Sequence, residues 1–142
     1  MNYRKFIEEY FSAEERGDVE AVAAMCDEGV TIRNAAQPPQ HGKDGAREYV
    51  STFKDRTDER KFRVLAIAQD GDTVFAWWDA SLTFKAGIAF GPIVTKRPFT
   101  VQLQGVCRFK MSASGRFDEI DVFHETTSPV HLAQEAATTV EA

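Results

Sequence analysis

Apolar residues recur at helical spacing at the start of the chain: Tyr3, Phe6, Ile7, Tyr10 and Phe11 share one side, with Arg4, Lys5, Glu8 and Glu9 opposite. This spacing predicts an amphipathic helix ending near Gly17. Asp18 stands where an N-cap is needed for a second helix, whose inner face is Val19, Val22, Met25 and Cys26. VTIRNAA (30–36) reads as a short strand and QPPQHG as a loop. A third helix is expected near Asp44, with Ala46, Tyr49, Val50 and Phe53 as its buried stripe and the charged run KDRTDERK as a solvated connection after it.

From Phe62 onward the period changes from 3.6 to two. FRVLAIAQ and TVFAWWDASLTFK flank Asp70-Gly71, a pair suited to a tight hairpin, and FTVQLQGVCRFKM and RFDEIDVFHE meet across SASG. Alternation places Val74, Ala76, Trp78, Ala80 and Leu82 on one face of their strand, and Val101, Leu103, Gly105, Cys107 and Phe109 on one face of the next. Phe75, Trp77 and Asp79 fall on the opposite face. Segment 86–98, with Gly87, Gly91, Pro92 and Pro98, is expected as a long loop, equally open to being a flap or a fixed crossing. Helices followed by antiparallel strands make the fold class α+β, with three N-terminal helices packed on one face of a strongly curved, mostly antiparallel sheet that encloses a pocket.

A chain of 142 residues with 43% hydrophobic and 27% charged side chains fits one globular domain, expected over 1–132, with 133–142 as a frayed tail. The net charge of -5 and the scattered basic residues argue against nucleic-acid binding. MNYRKFIEEYF lacks the apolar core of a signal peptide and no run approaches about 18 apolar residues, so no membrane association and a cytoplasmic location are expected. Cys26 and Cys107 are widely separated and read as reduced core thiols. No cofactor and no metal are expected, because no His, Cys or carboxylate set has ligand spacing.

The last strand carries the chemistry. Ile120, Val122 and His124 share its inward side, so a titratable ring ends an apolar row. Three readings stay open: a histidine bonded to nearby backbone at the rim of the pocket, a proton donor and acceptor for a ligand, or a metal ligand, for which no second His, Cys or carboxylate stands at a completing spacing. Tyr10 is either core or a pocket-facing hydroxyl. Asn34, near a turn, can bond its own loop or a ligand carbonyl. Trp78 can be core or a flat wall for an apolar ring.

The order of helix, ERGD, helix, short strand, HGKDGAREYV and a four-stranded run closing with SASGRFDEIDVFHETTSPVHLAQ resembles the nuclear transport factor 2-like superfamily, in particular its SnoaL-like polyketide cyclase and ketosteroid isomerase-like group. The resemblance implies a cone-shaped roll with a deep pocket and dimerisation through the outer sheet face, here Phe75, Trp77, Phe117 and Phe123. Tyr10, seven residues before Gly17, matches the first-helix tyrosine of ketosteroid isomerases. Asn34 falls at their general-base aspartate and Cys107 at their protonated acid, so their standard mechanism is not expected. The arginine and aspartate of the related epoxide hydrolases fall near Trp78 and Ala80, and their last-strand aspartate matches Asp121 only if a bulge reverses the local alternation. Scytalone dehydratases use inward histidines. Only His124 is placed for that, His41 lying in a loop and His131 in the tail.

The resulting expectation is a small-molecule pocket protein, able to act as a cofactor-free isomerase, dehydratase or cyclase on a mid-sized apolar or cyclic compound by proton transfer. His124 and Tyr10 are the catalytic candidates. Asn34, Trp78, Cys107, Phe53, Leu103, Phe109 and Val122 are the ligand-binding candidates. The alternative is a non-catalytic binding or assembly module on the same fold. An oxygenase small subunit ranks below both.

Overall fold

In the computed structural model, which describes residues 2–34, 37–125 and 127–138, helix α1 (Arg4–Arg16) buries Ile7, Tyr10, Phe11 and Glu14 along one stripe. It stops where Gly17 takes a left-handed φ of 65°, a conformation open to glycine and strained for other residues. Asp18 caps α2 (Val19–Met25) by accepting a hydrogen bond from the Ala21 N–H at 3.1 Å. Cys26, expected on this helix, instead opens strand β1 (Cys26–Asn34), and it stays fully buried because the chain turns inward there. Ala35 and Ala36 of the expected strand lie outside the described residues.

After β2 (Gln40–His41) comes α3 (Gly42–Arg56), and then β3 (Thr57–Asp70) and β4 (Thr73–Phe84) form the predicted hairpin. The charged run is not a free connection. Lys54 to Arg56 finish α3, Thr57 to Lys61 already belong to β3, and the Thr57 hydroxyl donates to the Phe53 carbonyl at 2.7 Å where helix becomes strand. Likewise the segment 86–98 contains a two-stranded hairpin, β5 (Ala89–Phe90) with β6 (Ile93–Val94). Phe90 packs edge-on to Phe84 and is tilted against Phe99, which fixes the hairpin to the body of the protein.

Strands β7 (Phe99–Met111) and β8 (Phe117–His124) complete a six-stranded sheet in the order β2-β1-β8-β7-β4-β3. Every pairing in it is antiparallel except that of β1 with β8. Burial alternates along β4 and β7 as the sequence predicts, with Trp78, Leu103 and Cys107 facing the helices. The fourth helix, α4 (Thr127–Ala137), runs into the expected frayed tail. Its Ala133 and Ala136 are buried, and the Arg97 guanidinium donates to the carbonyls of Glu135 at 2.6 Å and Thr138 at 2.8 Å. Residues 139–142 lie outside the described residues.

Two positions depart from simple alternation. Met111 pairs with Phe117 and Lys110 with Glu119, so Asp118 is an extra residue that reverses the parity of β8 at its start. Phe117, expected on the outer face, is therefore fully buried, stacked on Phe109 with ring centroids 4.9 Å apart. The bulge precedes Asp121, which keeps outward parity opposite Arg108. Asp121 is nonetheless 7% exposed, covered by Arg33 at 2.6 Å and Arg108 at 2.8 Å.

Candidate active site

Between the concave sheet face and helices α1 and α3 lies a cavity of about 410 Å³. Tyr10, Phe11, Tyr49, Phe53, Phe62 and Trp78 give it a largely aromatic wall. Ala89, Phe90 and Gly91 of the small hairpin and Pro129 and Val130 of α4 also line it. Arg56 pins that hairpin, donating to the Ala89 carbonyl at 2.8 Å while its guanidinium lies 4.7 Å from the Phe90 ring centre.

Of the residues singled out from sequence, His124, Tyr10, Asn34, Trp78, Cys107, Phe53, Leu103 and Val122 all line this cavity. Phe109 does not. It sits beneath the floor, fully buried against Tyr10 and Phe117, because the first helix crosses the sheet over that position.

His124 ends β8 opposite Gly105 on β7, which in turn pairs with Trp78 on β4. The glycine makes this arrangement possible. A Cβ at Gly105 would collide with Cζ2 of the Trp78 indole and approach the Phe123 carbonyl oxygen to 2.5 Å. Without it, the indole reaches across β7 to meet the His124 ring edge-on, centroids 6.4 Å apart. The imidazole Nδ1 lies 2.8 Å from the Glu125 carbonyl oxygen and Nε2 lies 3.2 Å from Oδ1 of Asn34. Asn34 Nδ2 donates to the Tyr49 hydroxyl at 3.1 Å. A carbonyl only accepts, so Nδ1 carries a proton. A doubly protonated ring satisfies this orientation, whereas a neutral ring requires the Asn34 amide to turn, presenting Nδ2 to the imidazole and Oδ1 to the tyrosine hydroxyl.

The residue that sequence reasoning missed is Glu14. It stands seven positions after Ile7 and four after Tyr10, on the buried stripe of α1, and is 4% exposed. Among the described residues its Oε1 is one of three buried side-chain polar atoms without a hydrogen-bond partner, with Arg60 Nε and Trp78 Nε1. Burial pushes its carboxyl up to about 7, against the opposing influences of the Tyr10 hydroxyl and the Arg60 charge. Arg60 does not neutralise it directly, since its Nη1 is held by the Thr57 carbonyl at 3.2 Å and hydroxyl at 2.8 Å. Burial first, and then the Glu14 charge, also push the Tyr10 and Tyr49 hydroxyls upward, so both stay protonated donors. The signal was present in the sequence, as a carboxylate at the next position of an apolar helical stripe.

Burial raises both thiols, Cys26 to about 12 and Cys107 further, so neither is a nucleophile at neutral pH. The Trp78 indole beside Cys107 opposes part of that rise without meeting hydrogen-bond geometry. Among the described residues no group of three His, Cys, Asp or Glu side chains could hold a metal ion. No described helix is long and apolar enough to cross a membrane.

The profile of the SnoaL-like domain matches residues 7–120, most of the chain. The protein belongs to the SnoaL-like domain family. Solved structures agree with this SnoaL-like fold. A candidate polyketide cyclase of Xanthomonas campestris pv. campestris superimposes with a TM-score of 0.78 at 16% identity, covering 92% of this chain and 95% of that one. A candidate SnoaL-like polyketide cyclase of Shewanella denitrificans gives 0.79 at 15% identity, covering 93% and 96%. At 25% identity, SalBIII, an epoxide hydrolase/cyclase-like enzyme with a role in pyran ring formation in the polyether salinomycin, gives 0.69 and covers 87% and 91%. A comparison with curated protein sequences finds no match.

Proposed function

We infer that this SnoaL-like domain is a cofactor-free enzyme that moves protons on a mid-sized, largely apolar compound, in a ring closure, isomerisation or dehydration. The observation that carries this reading is that a histidine and a tyrosine, His124 and Tyr10, line one aromatic-walled cavity. Tyr10 polarises a substrate oxygen by donating to it. His124, steadied by Asn34 and Glu125, exchanges a proton with the substrate. The likeness to SalBIII supports ring closure among the three, because forming a cyclic ether from an epoxide and a hydroxyl needs one acid and one base and no cofactor.

Native mass spectrometry of freshly purified protein tests the binding half, with a retained hydrocarbon-rich compound as the expected result. His124→Gln then tests the chemistry. Turnover of that compound should be lost while fold and assembly persist, and unchanged turnover rejects the role of His124. The engagement of both His124 ring nitrogens favours a second reading, a receptor that binds without reacting. Retention without turnover in the unmodified protein would select it.

The same inference extends to a homodimer through the convex face. Trp77, Val106 and Phe123 are direct partners across β4, β7 and β8, forming an unbroken apolar row with exposures of 47%, 38% and 55%. Phe75 adjoins it at 42%. Flanking charges are already paired, Arg63 with Asp79 on one side and Arg33 and Arg108 with Glu119 and Asp121 on the other. A second copy would thus meet an apolar row without unpaired like charges.

A further inference from the structure

We propose that Glu14 is the second proton-transferring group of this cavity, working from the helix wall with Tyr10 while His124 works from the sheet wall. The proposal rests on the proton-transfer reading above and adds the residue that would make it a two-group mechanism. Its ground is geometric. Glu14, on the buried stripe of α1, has one carboxylate oxygen without a partner, is part of the cavity wall, and stands one helical turn from Tyr10, which is part of it too. Buried polar atoms are normally satisfied, so a partnerless carboxylate oxygen on a residue of the cavity wall marks a group whose partner a bound substrate can supply.

The surroundings fit the role. Tyr10 on its own helix, Tyr49 on α3, Cys26 on β1 and Cys107 on β7 are the titratable groups that interact with it, and all four are neutral near pH 7. Arg60 on β3 supplies the one positive field, and Thr57 holds it away from ion-pair contact. A carboxyl that titrates near 7 in such a place is well matched for both halves of a transfer, as base when ionised and as acid when protonated.

A probe that needs no knowledge of the natural substrate is the ring opening of nitrobenzisoxazole, an apolar bicycle suited to an aromatic cavity. A carboxylate takes the ring C–H proton, that electron pair forms the nitrile, the N–O bond breaks, and the oxygen leaves as a coloured phenolate. The expected result is turnover whose pH profile rises with a midpoint near 7 and falls about 100-fold or more in Glu14→Gln. A wild-type rate no higher than that of Glu14→Gln overturns the proposal. Loss of turnover in His124→Gln but not in Glu14→Gln also overturns it while leaving the proton-transfer reading standing. Loss in Glu14→Gln alone upholds Glu14, because this ring opening needs a single base and does not call on His124. Should Glu14→Gln not fold, infrared titration of the unmodified protein decides: a protonated-carboxyl band disappearing with a midpoint near 7 supports Glu14, and carboxyls all ionised by about pH 5 overturn it.

Discussion

The partnerless oxygen of Glu14 has an energetic consequence independent of any reaction. In the unfolded chain this carboxyl titrates near 4.5, and in the folded protein near 7. Below about pH 4.5 both states hold the proton and the full stability is present. As pH rises, the unfolded chain releases its proton while the folded protein keeps it, so stability is lost until the folded carboxyl ionises as well. That loss is about 3 kcal/mol, reached above about pH 7. Urea unfolding of wild type and Glu14→Gln at several pH values should show this slope in the first protein and its absence in the second, and equal slopes would refute the assignment. At this scale His124 was legible from strand parity, and Tyr10 and Asn34 from the family resemblance that matched them to site positions. The bonds among Asn34, Tyr49 and His124 were not, since they join β1, α3 and β8 across up to 90 positions of sequence.

Between elements, the decisive feature is the register of β4, β7 and β8, which places Trp78, Gly105 and His124 in one row. Gly105→Ala should cost about 1–3 kcal/mol, because the added methyl has no space beneath the Trp78 indole and the Phe123 carbonyl. It should also lift Trp78 from His124, visible as altered tryptophan emission, and a variant within about 0.5 kcal/mol of wild type would show that the indole does not need this glycine. The alternation of β4 and β7 was readable because the period-two pattern is unbroken over twelve and thirteen residues. Phe117 was misplaced because one extra residue, Asp118, inverts the pattern and has no mark of its own in the sequence. Helix α4 escaped notice for a related reason. Its Ala-rich end gains order from Arg97 and the β6–β7 segment, and a short helix draws most of its stability from such packing.

At the scale of the molecule, the apolar row on the convex face predicts assembly. Sedimentation at micromolar concentration should give twice the 15.9 kDa mass of the chain, and Trp77→Arg, which sets a charge in the middle of the row, should return it to that mass. A wild-type species at the single-chain mass would remove the dimer. The sequence by itself determined the α+β architecture, the concave and convex faces and part of the cavity wall, since periodicity reports which side of an element is buried. Tertiary structure alone decided how large the cavity is, which separate elements line it and which polar atoms of its wall lack a partner. Those depend on where separate elements meet, and a carboxylate such as Glu14 acquires its altered acidity only once the packed helix and sheet have taken water away from it.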